Sequence, residues 1–328
     1  MKQDDFEKRY QAVWEELSNQ LDALEKSRFK RTRGQLSANL PGLYRQVCNH
    51  YALARGRRYS PTLEEQLHRL VLRGHQHLYT RRGAWLWQLL AFVAVGFPRS
   101  LRRHQSYFWL ALALFLFPGV LIGGFCMLDE SLIYSVMSEA EVANMAEMYR
   151  PDNARPGRTI ERSAESDFAM FGFYIFNNIG IGFRTFAMGI LAGVGTVFTL
   201  IYNGLAIGAV AGYLSSLGYH ETFWPFVSGH SSLELTAIVI CGAAGLMLGR
   251  GMIAPGCYSR ADAIRFRAKQ ALPLVMGAGL MLLGAAFIEA FWSANDLPNQ
   301  IKYIFAALMW LLMILYFIFA GRGARGAG

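Results

Sequence analysis

Cysteine is scarce and poorly spaced for chemistry. Cys48, Cys126, Cys241 and Cys257 are the only four in 328 residues, and no two form a CxxC pair. That argues against a disulfide framework or a thiolate zinc site. Charge is thin as well, at 17% of residues against 53% hydrophobic. There is no GxxxxGK(S/T) phosphate loop, no glycine loop placed after a strand, and no HExxH pair. Those absences exclude a soluble nucleotide or dinucleotide enzyme and a zincin-type protease. No cleavable signal peptide is visible; the opening MKQDDFEKRY is polar and helical, so the N-terminus is expected to stay in the cytoplasm.

Long apolar runs fill the space that charge leaves. Six are long enough to cross a hydrocarbon core of about 30 Å: 107–128, 168–189, 191–214, 231–250, 272–292 and 301–320. The second and third form one stretch too long for a single crossing, split near Gly189–Gly195, with a re-entrant pair as the alternative. Charge tests this count. Residues 1–106 hold 19 Lys/Arg against 9 Asp/Glu, a net of +10, while the whole chain is +9. The segment 129–167 carries Asp129, Glu130, Glu139, Glu141, Glu147, Asp152, Glu161, Glu165 and Asp167 against Arg150, Arg155, Arg158 and Arg162. The segment 251–271 carries Arg260, Arg265, Arg267 and Lys269, and the tail adds Arg322 and Arg325. With the N-terminus inside and six crossings, every Lys/Arg-rich segment falls inside, as the positive-inside rule requires. Basicity beside apolar spans then reads as a cytoplasmic face on anionic lipid rather than a nucleic-acid surface. Trp109 and Trp292 stand near span ends, as an interfacial belt places them.

Three domains follow: a cytoplasmic helical domain at 1–83, an interfacial elbow and basic linker at 84–106, and a transmembrane domain at 107–328 containing the acid-rich loop 129–167. In the first, Phe6, Tyr10, Val13, Leu17, Leu21 and Leu24 make one helical stripe. A second helix over 35–55 carries Leu36, Leu40, Leu43, Val47 and Tyr51. A third opens at Ser60-Pro61, a serine cap before a first-position proline, and continues through Leu63, Leu67, Leu70 and Val71. Three such stripes bury one another. His68, His75 and His77 do not share a helix face and suit one metal poorly. The segment 84–97 (AWLWQLLAFVAVGF) is too short to cross and reads as an in-plane elbow helix before Pro98, Arg99, Arg102 and Arg103.

Within the spans, small residues mark close helix packing. Gly204, Gly208 and Gly212 form a GxxxGxxxG ridge, and Gly189/Gly193 and Gly245/Gly249 repeat the spacing. The spacing leaves open whether the partner is intramolecular or a second subunit. Ionisable and amide groups inside spans are costly and point to function or to interhelical bonding. Asn177, Asn178, Arg184, Asn203, His230, Glu234 and Glu289 are such groups, and together they outline a candidate polar track. His230 and Glu234, four apart, share a face. A metal needs three protein ligands and no third is evident in the sequence, so neither a metal nor a cofactor is expected.

These residues carry a resemblance. The stretch FNNIGIGFRTFAMGILAGVGTVFTLIYNGLAIG and the following HSSLELTAIVICGAAGLMLG resemble the stage II sporulation protein M family of bacterial membrane proteins. The family's NN pair, NG pair and His-x-x-x-Glu-Leu pattern correspond to Asn177/Asn178, Asn203/Gly204 and His230/Glu234/Leu235; Ser231 stands where members commonly have glycine. LYRQVCNHYALAR is similar to the long, non-sporulating branch. The resemblance implies an all-α polytopic membrane bundle of about six transmembrane helices. In spore formers the founding member looks like a membrane scaffold for a peptidoglycan-degrading complex; that role needs partners this sequence does not reveal, and the resemblance alone does not transfer it to this longer chain. The expected function is a non-enzymatic scaffold or complex component in the bacterial inner membrane, with both termini cytoplasmic. Its expected partners are membrane lipid, a second copy of itself as a homodimer, and other envelope or membrane proteins, with no nucleic acid. The alternative is a permease or channel subunit working with a separate ATPase.

Overall fold

The computed structural model describes residues 2–29, 39–79, 84–152 and 164–323, and these are helical with no strand among them. Leu36, Arg155, Arg158, Glu161, Arg162 and Arg325 lie outside the described residues.

The chain divides into two compact units, Met1–Leu89 and Leu90–Gly328. The first contains α1 (Gln3–Phe29), α2 (Leu40–Gly56) and α3 (Pro61–Tyr79). The stripes read from the sequence meet: Phe6, Leu17, Leu21, Leu40, Leu43, Val47, Leu63, Leu67 and Leu70 are buried, with Tyr10, Val13, Leu24, Tyr51 and Val71 packed around them. The expected second helix at 35–55 starts at Leu40, with Pro41 in its first turn, where a proline lacks only a hydrogen bond the helix would not have made. Ser60 Oγ accepts from the Leu63 amide at 3.4 Å, and Gln3 of α1 binds Ser60 in turn. Trp14 joins this core through its indole N–H, which donates to His50 Nδ1 at 3.1 Å. Arg73 pairs with Asp22 and Glu25; the Asp22 bond, ahead of Glu25, raises its pKa above the ordinary value. His77 bonds Glu25 and His68 stacks near Tyr51, so these histidines face different neighbours.

The elbow α4 (Ala84–Ala91) does not stop before Pro98. It continues through a π-turn at Phe92–Gly96 into α5 (Phe97–Arg103). The wider turn absorbs the proline, and Phe97 and Leu101 are buried. Arg102 donates to the carbonyls of Phe317 and Ala320 at 2.7 and 2.6 Å, and Arg99 to Gly321 O at 2.8 Å. Three carbonyls at a helix C-terminus are thereby satisfied by cations, the favoured charge there.

Six long helices follow: α6 (Gln105–Leu128), α8 (Ala164–Ala187), α9 (Val194–Ser216), α10 (His220–Ile253), α11 (Arg260–Phe287) and α12 (Asn299–Phe319). Between the first two lies the short α7 (Glu139–Met148). Five of the six are long and apolar enough to cross a membrane. The sixth, α8, is 24 residues long, but Asn177, Asn178 and Arg184 dilute its apolar run. Their directions alternate. Gly204, Gly208 and Gly212 of α9 meet Phe115, Gly119 and Gly123 of α6 in rising order, so those two helices run parallel. Gly242, Gly245 and Gly249 of α10 meet Leu200, Thr196 and Gly193 in falling order, so α9 and α10 run antiparallel. One end of the bundle therefore gathers the basic segments, including Arg99, Arg102 and the 254–259 turn between Arg250 and Arg260. The other, acidic end gathers 129–152, the 217–219 turn and the 294–298 turn.

The expected split of the long apolar stretch appears as a hairpin. A short 3-10 turn at Met188–Ile190 is followed by Ala192 and Gly193 at φ 52° and 80°; glycine adopts the left-handed conformation without steric cost. α10 is the central helix and the most buried. At 34 residues it is about 51 Å long, well beyond its expected 231–250, because an apolar window sees only the part that suits lipid. Pro225 interrupts its ladder and frees the Glu221 carbonyl four residues back. Asn299 Nδ2 donates to that carbonyl at 3.1 Å.

The acid-rich segment is folded where it is described. Asp129 caps a 3-10 turn at Glu130–Ser135 by accepting from Ser131, which holds its carboxyl below the usual range. Ser138 and Glu141 form a reciprocal capping box at the start of α7, with the same downward effect on Glu141.

Candidate functional site

The glycine ridges are closed within the chain. A Cβ placed on Gly119 would lie 2.8 Å from Gly204 O, and one on Gly123 2.9 Å from Gly208 O. A Cβ on Gly204, Gly208 or Gly212 would overlap the carbonyl of Phe115, Gly119 or Gly123. Gly189 abuts Gly245, and Gly193 abuts Gly249, in the same way. Gly119 and Gly123 were missed by sequence reasoning, although their own GxxxG spacing was the signal. Each ridge has its partner inside the chain, so it gives no support to a homodimer.

The polar groups divide. Arg184 is exposed, and Asn203 turns back on its own helix, donating to Thr199 O at 2.7 Å. Neither joins the others, so no continuous polar track forms through the described residues. The remaining five converge in the acidic half of the bundle. Asn177 Nδ2 donates to Asn178 Oδ1 at 3.0 Å, and Asn178 Nδ2 donates to Glu289 Oε2 at 3.3 Å. On α10, His230 Nε2 lies 3.7 Å from Glu234 Oε2. Ligand-type atoms of His230, Glu234 and Glu289 all lie within 4.8 Å of one another. The third group that the sequence did not supply is therefore Glu289, brought by a helix 55 positions further along the chain.

Local backbone places it there. α11 ends in a π-turn, Ile288–Ser293, a rare widening often found at functional positions. It carries Glu289 and Ser293. Ser293 is fully buried, and its Oγ lies 3.1 Å from His230 Nδ1. Its carbonyl accepts from Lys302 Nζ at 3.1 Å, and Lys302 is only 3% exposed. Gly229 makes room for this contact: a Cβ there would be 3.3 Å from Ser293 Oγ. Sequence reasoning missed Ser293 and Lys302. The serine carries no pattern, and the lysine sits in the first turn of an apolar helix, where an interfacial anchor is the ordinary reading.

The acidic segment closes over this cluster. Thr222 Oγ1 donates to Tyr149 O at 2.6 Å, and the Tyr149 ring packs on Phe223 and Phe226 at 5.2 and 5.7 Å. Burial first, then the charge of Glu289, Tyr174 and Glu234, holds the Tyr149 phenol above its ordinary value. An extramembrane tyrosine thus lies within electrostatic reach of both carboxylates. Two apolar cavities lie elsewhere in the bundle. One, of about 560 Å³, is an apolar groove lined by Phe108, Leu112, Met313 and Phe317; another lies between α6, α9 and Trp310.

The comparisons with known proteins divide the chain at the same places. A model described as a domain of unknown function (DUF8413) matches residues 4–80, the three-helix unit. A model described as Stage II sporulation protein M matches residues 111–294, which include both glycine ridges and all of the polar cluster except Lys302. No curated protein and no solved structure matches the chain. With more than half of its length matched, and with the paired asparagines, the glycine ridges and the His230/Glu234 pair placed in one membrane bundle, this chain belongs to the stage II sporulation protein M family.

Proposed function

We propose that the chain is a non-enzymatic scaffold of the bacterial inner membrane. The transmembrane bundle is a stiff platform. The basic end and α1–α3 face the cytoplasm, and the acidic segment faces the envelope; each recruits a partner protein. The observation that carries this reading is how the bundle spends its unusual residues. Its glycines interlock backbones within the chain, and its membrane amides and carboxylates contact one another and His230 rather than lining the apolar cavities. Packed cores have discrete arrangements and resist continuous deformation, which suits a platform. The permease reading draws on the same polar groups, but they stop in the acidic half, and Asn203 and Arg184 do not extend them. The partner proposed is a different membrane or envelope protein, since the ridges that suggested a homodimer are already occupied.

Affinity capture of the full chain in mild detergent, after cross-linking in its own host, tests this. Recovery of a stoichiometric second polypeptide is expected. Recovery of the bare chain, together with loss of solute flux in liposomes for Glu234→Gln, would replace the scaffold with a permease.

A further inference from the structure

We propose that His230, Glu234 and Glu289 bind one divalent transition-metal ion of the zinc or manganese class, pinning α10 to the π-turn at the end of α11. The donor set, its spacing and its supports all bear on this. One imidazole and two carboxylates suit such an ion, whereas calcium and magnesium prefer six or more oxygens, several of them from water or phosphate. Tetrahedral zinc at about 2.0–2.2 Å from each donor sets neighbouring donors about 3.3–3.5 Å apart. The three donor atoms already lie within 4.8 Å, and His230 Nε2 and Glu234 Oε2 at 3.7 Å. The difference is of the size that rotation of carboxylate side chains spans.

The supporting contacts are those that metal ligands require. A ligating histidine has its second ring nitrogen engaged, which fixes the tautomer and aims the other lone pair. Here Nδ1 of His230 faces Ser293 Oγ at 3.1 Å, so Nε2 is left for the carboxylates. Glu289 is oriented in turn by Asn178 Nδ2 at 3.3 Å. Charge points the same way. Two carboxylates face each other in a bundle core, where an uncompensated charge is expensive. One dication neutralises both acids at once. Three protein ligands fill three tetrahedral positions, and the fourth goes to a non-protein donor.

The test uses the full chain in detergent, purified through a tag without histidine, stripped with chelator and titrated with Co(II) as a spectroscopic probe and with Zn(II) and Mn(II) by calorimetry. One equivalent is expected, with a Co(II) absorption band that Zn(II) abolishes, no response to Mg(II) or Ca(II), and a higher unfolding temperature on loading. Glu234→Gln, an isosteric change that keeps the fold, and Glu289→Gln should each remove the band. Ser293→Ala should keep the site but weaken it by about 10- to 100-fold. No band and no thermal shift in the folded wild type would overturn the proposal, leaving a carboxylate pair that shares a proton. So would binding that Glu234→Gln and Glu289→Gln both leave unchanged. Partner capture is unaffected by either result, so failure of the metal site and failure of the scaffold reading are distinguishable.

Discussion

Asn178 of α8 donates to Glu289 of the α11 π-turn at 3.3 Å across 111 residues of sequence. This bond ties α8 to the helix that brings the second acidic group of the cluster. In membranes an interhelical hydrogen bond contributes about 1 kcal/mol or less on average, and one to a charged group about 1.5–3 kcal/mol in proteins generally. Asn178→Leu in chelator-treated protein should therefore lower stability by about 1–2 kcal/mol. In a Glu289→Leu background the same change should cost much less. Unfolding in mixed detergent and dodecyl sulfate measures all four corners of the cycle; purely additive losses would show that the bond contributes nothing.

The α6–α9 seam should be intolerant of one methyl group. At Gly208 a Cβ would run into the Gly119 carbonyl, which is backbone and cannot rotate away. Gly208→Ala should cost about 1–3 kcal/mol, the range for overpacked interiors, and Gly208→Val more. Gly124, on the same helix as Gly119 but with open space around it, is the control. Gly124→Ala should be neutral or slightly stabilising through helix propensity. Thermal unfolding in detergent separates the two, and equal tolerance at both positions would mean that the helices are further apart than described.

Much of this arrangement could be read before folding, and the exceptions have physical causes. Apolar length located α6, α9, α11 and α12, because lipid imposes one dimension on every span. α8 was read from its apolar run as well, with the charge count in agreement, although Asn177, Asn178 and Arg184 weaken its hydropathy. The true length of α10 was hidden because Phe223–Gly229 continues a helix outside the apolar window, supported by Asn299 on the Glu221 carbonyl. α7 was passed over inside an acidic loop, although Ser138 and Glu141 spell a capping box. Convergence is the harder matter. His230 and Glu234 share a face by spacing alone, but the arrival of Glu289 and Ser293 depends on a π-turn, which no periodicity encodes. Arg184 and Asn203 resembled Asn178 as polar groups within spans, but Arg184 lies further along α8 on an exposed face and Asn203 bonds back to its own helix.

The three-helix unit should respond to mild acid through His50. Burial lowers its pKa from the ordinary 6.5, and its Nδ1 accepts the Trp14 indole proton. The folded unit therefore binds fewer protons than the unfolded chain between the lowered value and 6.5. Stability is full above about 6.5 and declines as pH falls from there through the lowered value. Residues 1–80, expressed alone, have their own core and contain Trp14 as the sole tryptophan. Urea unfolding followed by its fluorescence between pH 7.5 and 5 should show the loss. His50→Gln should be less stable at pH 7.5 but nearly flat over that range; an equal slope in both would assign the acid sensitivity elsewhere.

The central claim is a six-crossing bundle with its basic end in the cytoplasm, and accessible cysteines report on it directly. Cys126 and Cys241 are buried, while Cys257 is exposed in the turn between α10 and α11 at the basic end. In a Cys48→Ser background, a membrane-impermeant maleimide should leave Cys257 unmodified in intact spheroplasts and modify it in inverted vesicles. A cysteine introduced at Asp152, at the acidic end, should show the reverse. Modification of Cys257 and of residue 152 from the same side would contradict the alternation of crossings and with it the platform that the proposed function requires.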